Sequence, residues 1–482
     1  MHGSAAMIPL QSSISVDDSF LENSIDFCRF EGAGNPSKGP VLTPPLQLKV
    51  VNEAGISTND WNSSTSAVFL VVSSSPRCGL VARFFCTRLL RYLRWCGESA
   101  VFFLAGPNER DIEVQRFEDD VGAWEKYVES CLEKSLLYLA SNPCLGFSAI
   151  PVVILQTDCE SVDAYDRLHG MLDSRGNFLV RHIWFDEDWK ERASPKGGYI
   201  NVCLKQPALR VTRSQWSIVC SRAAGYLNSC LPALHRVYLD EPLVGSPEET
   251  LKSFSPLFFT RHGQSEYNLQ DRLGGDPDLT ILGRDDALTI AEFFKRQVVG
   301  NSRLFALRNA VWDKEEGFEV WCSQLKRTRR TAEPSARVLT RGELKTFKTL
   351  NEIHAGVCED MTNEEIKALY PPISSFRHTD KVGFRYPNGE SYQDLMRRLE
   401  PILLDLDVTR KCVLVVAHQA VLRTVLSFFD GPAVEEAVHT PCPHRSVWCC
   451  TYNRLGEPRL TTITLKPRKK NPEEDYECSG WW

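Results

Sequence analysis

Two histidines, each ending an apolar run, constrain this chain more than any other feature. Leu257-Phe258-Phe259-Thr260-Arg261 leads into His262 and Gly263, and Val413-Leu414-Val415-Val416-Ala417 leads into His418. Short apolar runs of this kind read as strands buried on both faces, the signature of a parallel sheet. Two such strands in one sheet release both histidines at the same edge, outside the carboxyl ends, where ligands bind. A third strand-like run, Phe318 to Cys322, precedes Arg327.

The surrounding pattern predicts an α/β protein of two three-layer αβα domains. The 482 residues suit two or three domains. Residues 1–64, rich in Ser, Asn, Gly and Pro, read as a partly disordered extension with one strand near Leu46 to Val51. Residues 65–240 alternate strands (Ala67 to Val72, Ala100 to Leu104, Ala149 to Leu155) with helices (Val81 to Trp95, Ala123 to Ser141, Gln215 to Asn228). A connector follows at 241–256, then a second α/β unit at 257–465 and a polar tail at 466–482. The basic run Lys466 to Lys470 reads as a solvated tail rather than a nuclear signal, and the final Ser479-Gly480-Trp481-Trp482 is no peroxisomal signal.

Several classes are set aside. The net charge of −6 argues against general nucleic-acid binding, although it allows a local basic pocket. No apolar stretch approaches the roughly 20 residues of a bilayer span. Met1 to Leu10 lacks the basic start and apolar core of a secretory signal. The 17 cysteines are odd in number and scattered, without Cys-x-x-Cys pairs, so they read as free buried thiols of a reducing compartment. The expectation is a cytoplasmic protein that binds neither nucleic acid nor membrane.

Phosphoryl transfer to an imidazole needs a nucleophile of fixed tautomer, cations and donors around the phosphoryl oxygens, and an acid for the leaving oxygen. His262 is the candidate nucleophile. Arg261 and Arg327 suit bidentate phosphate contacts. His418 adds a donor opposite His262, and Glu352, in Leu350-Asn351-Glu352-Ile353, is the candidate acid. Such a reaction needs no metal or other cofactor, and none is expected.

With these residues in view, the run Arg261 to Asp276 resembles the histidine phosphatase superfamily, phosphoglycerate mutase included. Leu350 to Glu365, Phe384 to Tyr392 and Ala417 to Arg423 narrow the resemblance. Together they look like the bisphosphatase half of the 6-phosphofructo-2-kinase/fructose-2,6-bisphosphatase family. The resemblance implies that His262 attacks the 2-phosphate of fructose 2,6-bisphosphate, with Arg261, Asn268, Arg327 and His418 holding that phosphate. It implies that Glu352 protonates the leaving sugar oxygen and then activates water. Arg377, Lys381, Tyr392, Gln419 and Arg423 match positions that grip the sugar and its 6-phosphate; Arg385 matches another basic position, and Gly274 is counted with the substrate-binding set. Four residues depart from the pattern: Gln264 stands for a usual Glu, His354 for an Asp, Asn363 for a Tyr that touches the 6-phosphate, and Gly383 for an Arg. None of the four makes or breaks bonds, so they bear on substrate selectivity rather than chemistry.

The first half fits the same family less well. Tyr199 to Leu231 resembles the end of its kinase domain, and Leu89 to Gly97 the helix after its phosphate loop. A phosphate loop needs Gly-x-x-x-x-Gly-Lys followed by Ser or Thr, so that backbone N–H groups wrap the phosphates, the Lys neutralises them and the hydroxyl meets Mg²⁺. Here the segment is Ser73-Ser74-Ser75-Pro76-Arg77-Cys78-Gly79-Leu80-Val81-Ala82-Arg83, and no lysine occurs between Lys49 and Lys126. Ile154 to Cys159 departs as well; Asp158 reads as a loop carboxylate rather than a metal ligand. The expectation is a kinase-like fold without kinase activity, and homodimerisation through this half rests on family analogy alone. The competing readings are a bifunctional enzyme with an unorthodox kinase site, a broad-specificity sugar phosphatase or mutase, and a non-catalytic regulatory scaffold.

Overall fold

The structure, a computed structural model, describes residues 14–15, 47–52, 66–97, 100–105, 152–158, 170, 178–188, 199–205, 208–213, 218–239, 254–299, 317–430, 434–453 and 457–468. Most of the expected N-terminal extension, the helix expected at Ala123 to Ser141, most of the connector and the tail beyond 468 lie outside these residues.

Among the described residues the strands form two seven-stranded sheets. In chain order they are β1 (Ile14–Ser15), β2 (Gln47–Asn52), β3 (Ser66–Ser73), β4 (Ala100–Ala105), β5 (Val152–Asp158), β6 (Phe178–Asp186), β7 (Tyr199–Cys203), β8 (Ala208–Arg213), β9 (Leu257–Arg261), β10 (Phe318–Ser323), β11 (Lys345–Phe347), β12 (Cys412–Ala417), β13 (Ser446–Tyr452) and β14 (Pro458–Thr464). The helices that matter here are α1 (Pro76–Trp95), α2 (Ile218–Leu239), α3 (Ile281–Phe294), α4 (Lys326–Thr340), α5 (Tyr392–Val408) and α6 (Gln419–Asp430).

The C-terminal sheet has the order β1-β14-β13-β9-β12-β10-β11. Strands β9, β12, β10 and β11 run parallel, and β13 turns antiparallel to β9. Every residue of β12 is buried, as a central strand covered on both faces requires. Side chains alternate between two apolar clusters. Leu257, Phe259, Val413 and Val415 join residues of α5 and α6, whereas Phe258, Val320, Leu414 and Val416 join residues of α3 and α4. This period of two produces the three layers. Arg261 pairs with Ala417 across β9 and β12, so His262 and His418 leave neighbouring strands side by side.

The N-terminal sheet has the order β2-β8-β7-β6-β3-β5-β4 and is parallel except between β7 and β8. Helix α1 starts at Pro76, five residues before the expected Val81, and only Ser74 and Ser75 separate it from β3. Ser75 caps it by accepting from Cys78 N at 3.3 Å, and Pro76 opens the first turn. A two-residue turn has no length in which to wrap a phosphate. Helix α2 runs to Leu239, well past the expected Asn228, despite Pro232 inside it. Leu227, Leu231, Leu234 and Val237 give it a buried stripe that outweighs the lost backbone hydrogen bond. Strand β6 escaped the sequence reading because buried Arg181 and His182 interrupt its apolar run.

One apolar cluster runs through both halves and includes residues of α1, α2, α5 and α6. At its centre Arg88 of α1 is fully buried. Its Nε donates to Asp407 Oδ2 at 3.2 Å and its Nη2 to Asp407 Oδ1 at 2.5 Å. Arg91 Nη2 and Tyr226 OH add bonds to the same carboxylate at 2.6 and 2.7 Å. Arg88 also lies over the rings of Phe84, Phe254 and Tyr452, so the end of the connector is part of this core. Trp95 Nε1 reaches Thr424 O at 3.2 Å and Arg236 reaches Val408 O at 2.7 Å. Cys322, Cys412, Cys449 and Cys450 are buried free thiols. Among the described residues, no helix is long and apolar enough to cross a membrane, and no group of three or more His, Cys, Asp or Glu is placed to hold a metal ion.

Candidate active site

Both predicted histidines sit at the carboxyl edge of the C-terminal sheet, their ring centroids 5.2 Å apart. His262 N donates to Ala417 O at 3.0 Å, tying the end of β9 to β12. The His262 ring is held by Nδ1, 2.7 Å from Gly263 O. A carbonyl can only accept, so Nδ1 carries the proton and Nε2 keeps a bare lone pair. Burial, then Arg327 and Arg261, pushes the His262 pKa well below the usual histidine value. The ring is therefore neutral at physiological pH, as a nucleophile requires.

Gly263 fixes the turn after the nucleophile. A Cβ there would lie 2.2 Å from Gly283 O at the start of α3, and Gly263 N donates to Thr331 Oγ1 of α4 at 2.9 Å. The Arg-His-Gly step is thus clamped between two helices. His418 is fully buried, with Nε2 2.8 Å from Ser323 Oγ; its Nδ1 is buried with no partner among the described residues. Burial, with Arg327 next, pushes its pKa well below the usual value too.

Arg261 and Arg327 are anchored through one nitrogen each, Arg261 Nη1 to Cys442 O at 3.0 Å and Arg327 Nη1 to Gly275 O at 2.8 Å. Burial pulls both guanidinium pKa values down, and Glu352 opposes that. Glu352 faces them from the turn after β11. Its Oε1 accepts from Ile353 N at 3.0 Å and from Ala420 N, in the first turn of α6, at 3.2 Å. Asn268 Oδ1 accepts from the backbone N–H and the hydroxyl of Ser265, both at 3.0 Å, which leaves its amide NH₂ for a ligand. Gly274 has φ +67°, and a Cβ there would strike the Glu359 carboxylate. That carboxylate joins Gly275 N and Ala355 N at 2.7 and 2.6 Å, closing the loop beside Arg327.

These side chains surround a cavity of about 300 Å³ lined by Arg261, His262, Asn268, Gly274, Arg327, Glu352, Arg377, Tyr392, Gln419 and Arg423 among the predicted residues. Five arginines and two carboxylates, Asp271 and Glu352, face it, so the lining is positive although the whole chain is negative. His418 lies behind the wall. Lys381 is not in the lining; its Nζ rests on Val438 O at 2.9 Å, and burial with Arg423 and Arg377 nearby lowers its pKa to about 8. Arg385 is also outside the lining, exposed and paired with Asp394 at the start of α5. Of the four departures only Asn363 lines the cavity. Gln264 is turned to Thr280 Oγ1 at 3.0 Å, His354 Nδ1 accepts from Gly356 N at 3.1 Å, and Gly383 N donates to Asp380 Oδ1 at 2.7 Å.

The structure adds residues that the sequence did not single out. Tyr386, under Arg377 at 5.5 Å, and Arg272 both line the cavity, and both lie inside quoted motifs. His444 approaches from the loop before β13, its Nδ1 2.8 Å from His262 O. Burial, followed by Arg261, lowers its pKa to about 4. No strand or motif announces it, because it reaches the site only when β13 pairs with β9.

Residues 257–464 match the histidine phosphatase superfamily (branch 1). A Homo sapiens protein named 6-phosphofructo-2-kinase/fructose-2,6-bisphosphatase 4 is 41% identical over 219 residues, 45% of this chain and 42% of that relative. A Mus musculus protein, 6-phosphofructo-2-kinase/fructose-2,6-bisphosphatase 1, is 39% identical over 219 residues with the same coverage. The chain thus spans less than half the length of the relatives it matches. A solved alpha-ribazole-5'-P phosphatase from Escherichia coli covers 45% of this chain at 20% identity, with a TM-score of 0.37. With the paired histidines, the anchored arginines and Glu352 all inside the matched segment, residues 257–464 form a histidine phosphatase superfamily domain, similar in sequence to part of the 6-phosphofructo-2-kinase/fructose-2,6-bisphosphatases.

Proposed function

We propose that this site hydrolyses fructose 2,6-bisphosphate to fructose 6-phosphate and inorganic phosphate through a phosphohistidine. The observation that carries the reading is the state of His262: neutral, protonated on Nδ1, with Nε2 bare beside buried Arg327 and half-buried Arg261. The names of the similar proteins supply the substrate, and the positive lining of the cavity suits a doubly phosphorylated sugar.

In the first step His262 Nε2 forms a bond to phosphorus as the bond from phosphorus to the sugar 2-oxygen breaks. Protonated Glu352 gives its proton to that oxygen, so the sugar leaves as a neutral alcohol. Arg261, Arg327 and the Asn268 amide hold the phosphoryl oxygens, while His418, expected among them, stands behind the cavity wall with Nε2 on Ser323 and backs the site rather than lining it. In the second step the Glu352 carboxylate takes a proton from water, whose oxygen attacks phosphorus and breaks the P–N bond. Phosphate leaves, and His262 and protonated Glu352 are restored. Arg377, Tyr392, Gln419 and Arg423 hold the sugar and its distal phosphate, with Lys381 and Arg385 at greater distance. The N-terminal half carries no kinase activity in this reading, in keeping with the two-residue turn between β3 and α1.

The test is incubation of the purified protein with substrate radiolabelled at the 2-phosphate, following acid-labile label on the protein and release of phosphate. Wild type should label and turn over, and His262→Ala should do neither. Faster turnover of simple phosphomonoesters than of fructose 2,6-bisphosphate would replace the proposed substrate with a broad specificity. A folded wild-type protein that takes no label would sink the reading.

A further inference from the structure

The acid proposed above sits in a turn that has no regular structure of its own. Glu352 follows the short 3-10 segment Lys348–Leu350, and among the described residues its carboxylate is hydrogen-bonded by backbone N–H groups alone. A general acid has to meet the leaving oxygen within a few tenths of an ångström. Something must therefore fix the backbone of that turn.

One side chain does so. Arg398, on the second turn of α5, donates from Nη1 to Thr349 O at 2.6 Å and to Asn351 O at 3.0 Å. Its Nη2 also approaches Glu352 O, at 3.5 Å. The other edge of the guanidinium forms a two-pronged pair with Glu390, Nε to Oε1 and Nη2 to Oε2, both at 2.8 Å. Glu390 in turn accepts from His354 N at 3.0 Å through Oε2, and its own N–H donates to His354 O at 2.9 Å. Arg398 and Glu390 thus bracket the turn on both sides of Glu352. Asn351 carries the connection onward by accepting from Gln324 N at 3.0 Å, beside Ser323, which holds His418. Neither Arg398 nor Glu390 lines the cavity.

We infer that Arg398 is a positioning residue for Glu352, acting through the carbonyls of residues 349–352 with Glu390 as its counter-clamp. Lysine keeps the charge but cannot serve three carbonyls and a carboxylate at once, since its donors radiate from one point. The inference rests on the proposed role of Glu352 as the acid.

A double-mutant cycle on the full chain tests it, read as the rate of phosphohistidine formation in a single turnover. Arg398→Lys should slow labelling at least ~10-fold and Glu352→Gln at least ~100-fold, within the range of a lost general acid. Arg398→Lys in the Glu352→Gln background should add less than about a twofold loss, because residues acting as one unit are not additive. Multiplied losses, or an Arg398→Lys protein that labels at the wild-type rate, would overturn the inference. Should Arg398→Lys fail to fold, Glu390→Gln enters the same cycle with the same expectations. Absence of label on wild type refutes the phosphatase reading instead, and so separates the two failures.

Discussion

Gly263 sits where the chain turns away from the nucleophile, and a single methyl group there meets the backbone of Gly283 rather than a side chain that could swing aside. Relief requires α3 or the nucleophile's own peptide to move. Gly263→Ala should therefore lower stability by roughly 1–3 kcal/mol, the usual range for overpacking, and labelling of His262 should fall with it. Thermal unfolding and single-turnover labelling measure the two losses. The pH response also belongs to single residues. His262 and His418 have folded pKa values well below the usual histidine value near 6.5. As pH drops below about 6.5 the unfolded chain takes up protons that the folded chain refuses, so stability falls with pH. Tm should be flat above that pH and decline below it, with a shallower decline in His418→Gln. A slope unchanged by that substitution would remove His418 from the cause. At this scale the sequence was informative where function and strand end coincide: His262, Arg261, Arg327 and His418 each follow an apolar run. Arg398, Glu390 and His444 were illegible, because each acts on a backbone carbonyl or N–H whose position depends on a distant element.

Among the elements, the join between β3 and α1 has the clearest chemical meaning. A phosphate-binding loop works by pointing several consecutive N–H groups at one anion. Here Cys78 N is committed to the Ser75 hydroxyl, and Ser75 Oγ is itself 3.1 Å from the Glu187 carboxylate, which would repel a phosphate. Mg²⁺ and ATP should therefore leave Tm unchanged at millimolar concentration, whereas any site with a Kd near 10 μM would raise stability by roughly 2.7 kcal/mol at 100 times that concentration. Calorimetry with and without nucleotide decides it. The early start of α1 is written in the sequence as a serine followed by a proline, an N-cap and a first-turn residue. The full length of α2 was not legible, since Pro232 looks like a stop signal until the buried stripe is seen. Strand β12 was legible because both of its faces are apolar, and β9 and β10 because short apolar runs lead to their ends.

For the whole molecule, the apolar cluster shared by α1, α2, α5 and α6 sets the behaviour. Arg88 and Asp407 meet in it with no exposure at all. Arg88→Leu would leave the carboxylate to Arg91 and Tyr226 alone, and breaking such a pair costs on the order of 3–5 kcal/mol. Because the loss falls on both halves, denaturant unfolding should show one transition in wild type and an earlier single transition in Arg88→Leu. Two separated transitions would mean that the halves fold apart. The carboxylate lies on α5, the helix that also carries Tyr392 and Arg398. This shared core has a consequence for dissection. Cutting away the first half would strip α5 and α6 of their cover. The cut would then reach the nucleophile through Arg88, Arg91, Tyr226 and Trp95, which support α5 and α6 without ever touching it.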